Sequence, residues 1–146
     1  MAEPFRYLLR VRYGECDAQM IVYNARWGDY VDIATTEFTR AVFGTVDPSA
    51  GLDWRLVRQE TSWRAPARFD DVLEARIRTL AIGTTSFTLR CEFFRYPDGA
   101  PLVTSETVYV AVDARGDKLA VPDQHRRSLE EGATGRVVDH AAALIR

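Results

Sequence analysis

Asp17 is the residue best placed to do chemistry. It lies in a polar break, Gly14-Glu15-Cys16-Asp17-Ala18-Gln19, between an alternating apolar segment and a run of helical periodicity. Asp is common in turns and at helix caps, so a structural role is one reading. The other is catalytic: an ionised carboxylate can activate water or attack a carbonyl carbon. The helix that follows would add free backbone N–H groups and the positive end of its dipole, which suit a developing oxyanion. The neighbouring Cys16 offers a thiol, but neither His125 nor His140 stands in a Cys/His arrangement with it. Cys91 alternates with Phe87, Leu89 and Phe93 and reads as core, and both histidines read as surface residues. With no CxxC and no Cys/His cluster, neither a disulfide framework nor a metal site is expected.

The elements around Asp17 follow from periodicity. Phe5, Tyr7, Leu9, Val11 and Tyr13 alternate with Arg6, Arg10 and Arg12, the pattern of a half-buried strand. From about Ala25 to Phe43 the step changes to three and four: Trp27, Tyr30, Val31, Ala34, Phe38, Ala41 and Val42 mark one helix face. Asn24 stands where an N-cap belongs and Gly44 where a C′ residue belongs. After the loop around Asp47-Pro48-Ser49-Ala50-Gly51 come strand patterns. Val57, Thr61, Trp63 and Ala65 share one face of the first. A turn at Pro66 to Asp71 leads to Leu73, Ala75 and Ile77, then Phe87 to Phe93 and Val103 to Ala111, joined by tight turns. Pro122-Asp123 starts a short helix that stops before Gly132, and the last residues suggest one more weak amphipathic turn. The order of strand, long helix and antiparallel meander predicts an α+β domain spanning 1–146, with a curved sheet around one central helix.

Bulk properties narrow the functional classes. A length of 146 residues with 47% hydrophobic and 27% charged content fits one globular domain. A net charge of −2 gives no general attraction to nucleic acid or anionic membranes. Lys118 is the only lysine, so nearly all positive charge is arginine, which forks well onto phosphates. The start carries arginines through its apolar stretch, without a cleavable-signal pattern, and no run approaches the ~18 apolar residues of a membrane span. A cytoplasmic location is expected, with no membrane insertion and no nucleic-acid partner.

The stretch from Val11 to Trp27, with Cys16-Asp17 followed by Ile21-Val22-Tyr23, resembles the opening motif of the 4-hydroxybenzoyl-CoA thioesterase family of hotdog-fold proteins. Arg68-Phe69-Asp70-Asp71-Val72-Leu73 is similar to that family's turn before its third strand, and Val121-Pro122 to the end of its last strand. The similarity covers about residues 5–131. Met20 replaces the family's usual Gly, Asn24 stands where some members have His, Trp27 where Tyr is common, and Thr84 and Thr85 where some have basic residues.

The resemblance implies a hotdog fold and hydrolysis of an acyl-CoA thioester to free acid and coenzyme A. Asp17 is then nucleophile or general base, and the backbone N–H of Asn24 polarises the carbonyl. Tyr23 lines the acyl site, and Gly83, Thr84 and Thr85 form part of the pantetheine and phosphate groove. Lys118 and Arg126 are candidate phosphate partners. No cofactor is implied beyond coenzyme A as part of the substrate. A homodimer, or a tetramer built from dimers, with sites at the dimer interface is expected. An acyl-carrier-protein thioesterase and a non-catalytic acyl-CoA-binding hotdog protein remain as alternatives. A hotdog dehydratase is disfavoured because no histidine lies near Asp17 in the sequence.

Overall fold

The computed structural model describes residues 3–144; residues 1–2 and 145–146 of the expected domain lie outside them. Strands β1 (Phe5–Arg10), β2 (Asp53–Trp63), β3 (Val72–Ile82), β4 (Ser86–Tyr96), β5 (Pro101–Val112) and β6 (Val137–Asp139) form one sheet. Their order is β2-β5-β4-β3-β1-β6. Helices α1 (Trp27–Phe43) and α2 (Asp123–Glu131) complete the fold.

The alternation read in the sequence is what makes the core. Phe5, Tyr7 and Leu9 of β1, Leu73, Ala75 and Ile77 of β3, and Phe87, Leu89, Cys91 and Phe93 of β4 are all buried. Against them α1 lays Trp27, Tyr30, Val31, Ala34 and Phe38. Phe5 meets Phe38 edge-on at 5.5 Å, and Trp27 meets Phe93 at 5.2 Å. Bulges between Leu56 and Arg58, Thr79 and Ala81, and Phe93 and Phe94 add twist and bend, so the sheet curls around the helix. This is the hotdog arrangement that the resemblance implies.

Some details differ from expectation. Residues 24–26 form a 3-10 turn, and α1 proper begins at Trp27. Asn24 is therefore not a side-chain N-cap: its carbonyl accepts the Trp27 N–H, and no side chain caps either turn. The tighter turn satisfies the helix start from the main chain instead. Gly44 does close α1, with φ 77° and its N–H on the Arg40 carbonyl. The sheet is not wholly antiparallel, because β6 joins β1 in parallel where a weak helical turn was expected. Three residues are too few to show a period, and a chain returning through α2 can add a strand in either direction. Val121 lies beyond the last long strand, held by its N–H to the Thr84 carbonyl at 2.9 Å. In β2 the bulge leaves Val57 unpaired, so Leu56, Gln59, Thr61 and Trp63 pair with the core-facing Tyr109, Thr107, Ser105 and Val103.

One buried polar cluster fastens the loop after β1 to the helix. Glu15 is only 8% exposed. It accepts the Arg12 backbone N–H at 2.8 Å, the Arg12 guanidinium at 2.6 and 3.0 Å, and the Tyr30 hydroxyl at 2.8 Å. Burial pushes the Glu15 carboxyl up, but the bonds from Arg12 and Tyr30 outweigh it and hold the group below the ordinary carboxylate range. Burial and the adjacent Glu15 push the Tyr30 phenol up.

Tyr30→Phe leaves the buried carboxylate short of one donor and should cost about 1–3 kcal/mol in urea unfolding near neutral pH. A depressed native value means that the Glu15 contribution is present above the unfolded value of about 4.3 and is lost as pH falls through the native value. The stability difference between wild type and Glu15→Gln should therefore shrink on acidification below that point. An unchanged difference at acid and neutral pH would contradict the assignment.

Candidate active site

Asp17 sits on a small hairpin that the Glu15 cluster holds in place. Cys16 bridges Val22 and Ile21 bridges Arg68, both antiparallel. The Asp17 N–H donates to the Ile21 carbonyl at 2.9 Å, and the Met20 N–H returns to the Asp17 carbonyl at 2.9 Å. Met20 takes φ 60°, the left-handed region, which accounts for glycine at this position in the resembling family. The Gln19 N–H donates to Asp17 Oδ1 at 2.8 Å. The turn role thus engages one carboxylate oxygen, and Oδ2 has no hydrogen-bond partner among the described residues.

Asn24 opens the 3-10 turn beside this hairpin. The Tyr23 N–H goes to the Glu15 carbonyl at 3.0 Å and the Arg26 N–H to the Tyr23 carbonyl at 2.8 Å. Between them, the N–H groups of Asn24 and Ala25 lack acceptors among the described residues, as expected at the start of a helical run. Asp17, Tyr23, Asn24 and Trp27 line one open cleft of about 410 Å³, together with Trp63, Arg64, Ala65 and Pro66 from the end of β2. The cleft thus brings together a carboxylate and a residue whose N–H is unclaimed, Asp17 and Asn24, and acyl transfer requires groups of these two kinds. Cys16 fits the nucleophile role poorly: burial and the adjacent Glu15 and Asp17 carboxylates push its thiol up.

The other expected residues lie elsewhere. Gly83, Thr84 and Thr85 occupy the β3–β4 turn, at the opposite end of strands that are 11 residues long. At about 3.3 Å per residue, roughly 30 Å separates that turn from the Asp17 end. A Cβ on Gly83 would meet Ser86 Oγ at 2.8 Å, so a side chain there would have to displace the serine hydroxyl. The carbonyls of Thr84 and Thr85 accept the Val121 and Ala111 N–H groups. Arg126 donates to the Gly83 carbonyl at 2.8 Å, and Lys118 is exposed in a bridge with Val112. Within one chain the structure joins Tyr23 and Asn24 to Asp17 but gathers Gly83, Thr84, Thr85, Lys118 and Arg126 at the far end.

The histidines also differ in part from the surface reading. His125 is half-buried, its ring 5.1 Å from Phe43 and its Nδ1 without a partner among the described residues. His140 is exposed but bonded through Nδ1 to the Tyr7 hydroxyl at 2.8 Å. Neither lines the Asp17 cleft. Among the described residues no group of three or more His, Cys, Asp or Glu could hold a metal ion, and no helix is long and apolar enough to cross a membrane. Sequence reasoning missed the contribution of Trp63, Arg64, Ala65 and Pro66. The available signal was an aromatic residue at the end of a strand just before a proline.

Comparison with known proteins agrees with this architecture. The model of the thioesterase-like superfamily matches residues 11–129. A crystal structure of an Aquifex aeolicus protein superposes with TM-score 0.77 at 25% identity, covering 86% of this chain and 99% of that one. A 1,4-dihydroxy-2-naphthoyl-CoA thioesterase from Synechocystis has the same fold, with TM-score 0.75 at 16% identity over 86% of this chain and 94% of its own. A gentisyl-coenzyme A thioesterase matches with TM-score 0.74 at 23% identity over 83% and 98%. The family match spans the Asp17 hairpin, α1 and β2 to β5, and on that ground the chain belongs to the thioesterase-like superfamily, as a thioester hydrolase of the hotdog fold.

Proposed function

We propose that this protein hydrolyses an acyl-CoA thioester to free acid and coenzyme A at the Asp17 cleft. The observation that supports the reading is that Asp17, with one carboxylate oxygen free of partners, and Asn24, whose N–H has no acceptor among the described residues, line one cleft. Asp17 either takes a proton from water as the oxygen attacks the thioester carbon, or attacks that carbon itself to give an anhydride that water then opens. In both routes the carbonyl oxygen gains negative charge, which the Asn24 N–H and the helix dipole stabilise. The coenzyme A thiolate leaves and is protonated. Tyr23 borders the acyl group, and no cofactor takes part beyond the coenzyme A of the substrate.

The distance between the two clusters is the reason to pair the site with a second subunit. β2 is an edge strand, and its Leu56 and Val57 are more than half exposed, at 52% and 56%. Such an edge invites a partner. Antiparallel pairing of β2 with a copy of itself sets the Asp53 end of one subunit beside the Trp63 end of the other. The Asp53 end adjoins Val112, the bridge to Lys118 and a second hollow of about 490 Å³. Gly83, Thr84, Thr85, Lys118 and Arg126 of one subunit then serve the coenzyme A bound at Asp17 of the other.

Light scattering at micromolar concentration should give a dimer or a tetramer built from two dimers; a fully active monomer would refute the shared site. Lys118→Ala and Arg126→Ala should raise KM more than they lower kcat. If neither moves KM, the phosphates are held elsewhere. Asp17→Asn keeps the size of the side chain and the bond to Gln19 but removes the base, so kcat should fall by at least ~100-fold, while folding stays within about 1 kcal/mol. Thiol release measured on acyl-CoA and on acyl-carrier-protein thioesters checks the substrate carrier together with the residue. A folded Asp17→Asn protein with near-normal kcat would defeat the mechanism.

A further inference from the structure

We infer that the hollow beside β1 and β6 is a second binding site, which takes a small organic carboxylate and bears on the Asp17 loop through Arg12 and Glu15. Binding there is independent of what the Asp17 cleft does, whereas the effect on turnover rests on the thioesterase reading.

Tyr7 and Leu9 of β1, Ile33 of α1, and Arg10, Arg12, Glu15 and His140 line a hollow of about 330 Å³. None of them lines the Asp17 cleft, and β1 and β6 lie at the opposite side of the sheet from β2. The lining carries two guanidiniums and one carboxylate, and that carboxylate is already satisfied by Arg12 and Tyr30. The acids around it are paired as well, Asp70 with Arg10 at 3.5 Å and Glu37 with Arg40 at 3.3 Å.

Donors remain in reserve. Arg12 gives Nε and Nη2 to Glu15, and Arg10 gives Nη1 to Asp70 and Nη2 to the Ala141 carbonyl. Arg12 Nη1 and Arg10 Nε have no hydrogen-bond partner among the described residues. Burial pushes the Tyr7 phenol up, so it keeps its proton and donates to His140 Nδ1 at 2.8 Å. The hydrogen of that imidazole then sits on Nε2, a third unclaimed donor. Planar guanidinium donors suit a carboxylate. Leu9, Ile33 and the Tyr7 ring give the body of an organic acid an apolar wall, which inorganic phosphate would not use.

Glu15 is shared between this hollow and the Asp17 loop. Its main-chain carbonyl accepts the Tyr23 N–H at 3.0 Å, while its carboxylate holds Arg12 and Tyr30. A ligand carboxylate that draws Arg12 toward itself weakens the grip on Glu15, which precedes Asp17 by two residues. Loosening there lowers kcat without any contest for the place of the substrate. The free acid that thioester hydrolysis releases belongs to this ligand class, so turnover is restrained by its own product.

The protein has two histidines, and of these His140 lines the hollow. Imidazole NMR signals, assigned with His140→Gln, therefore report occupancy. Hexanoate should shift the His140 signals saturably and leave those of His125 in place. Ile33→Trp, which fills the hollow, and Arg10→Gln, which removes a cation, should each weaken binding by at least ~10-fold. Should Ile33→Trp fail to fold, Arg10→Gln carries the comparison. Unmoved His140 signals, or equal shifts with inorganic phosphate, would overturn the organic-carboxylate site. Hexanoate should also lower kcat for acyl-CoA hydrolysis with KM unchanged, and do so less in either variant. Inhibition that only raises KM, or that persists undiminished in the variants, would overturn the link to the Asp17 loop. If no CoA thioester is cleaved, the thioesterase reading fails on its own and the His140 signals still decide the site. Hydrogen exchange at the Tyr23 amide then decides the link: faster exchange with hexanoate bound supports it, and unchanged exchange overturns it.

Discussion

One helix has to be covered by one sheet, and the two differ in width. An α-helix with its side chains is about 10 Å across, whereas six strands at about 4.8 Å spacing extend more than twice as far. Helix α1 therefore lies over the strands that carry Phe5, Ile77 and Phe93, and the sheet curls to meet it. Coverage runs out at β2, where Gln59 and Thr61 stand between Leu56 and Trp63 on that face, and Leu56 and Trp63 are both more than half exposed. The exposed edge and the open cleft both fit that mismatch.

Within this frame the Asp17 loop needs its own anchor. It lies outside the regular sheet, and its two isolated bridges are too few to fix a carboxylate. The Glu15 carboxylate supplies the missing constraint by tying the loop to Tyr30, one turn of helix beyond Trp27. The same hydroxyl bond restrains both the hairpin that carries Asp17 and the ring on which Trp27 rests. The placing of the Asp17 loop and the packing of Trp27 are in this way physically linked.

How much of this was legible in the sequence depended on how local the cause was. Period-two and helical patterns placed β1, α1 and the meander, because burial repeats regularly along each element. The motif around Asp17 and Tyr23 put both at the junction of strand and helix, where they line one cleft. Asn24 was also read as a side-chain cap, yet its side chain caps nothing among the described residues, since composition does not distinguish a 3-10 lead-in from a capped helix. The bulge at Val57 changed the facing of β2, and no residue type announces such an insertion. The three-residue β6 was too short to carry a period. Glu15 looked like an ordinary loop acid, because its partners Arg12 and Tyr30 lie on different elements and meet only after folding. The separation of Gly83 to Thr85 from Asp17 is likewise a property of strand length and direction.

The three tryptophans occupy three different environments: Trp27 is buried, Trp54 is half-buried, and Trp63 is more than half exposed to water. Two of them, Trp27 and Trp63, border the same cleft. Indole emission depends on polarity and on nearby rings, so a guest settling against Trp63 would dry that fluorophore while leaving Trp54 nearly untouched. The cleft thereby carries an intrinsic optical reporter of occupancy, available without labels and independent of turnover.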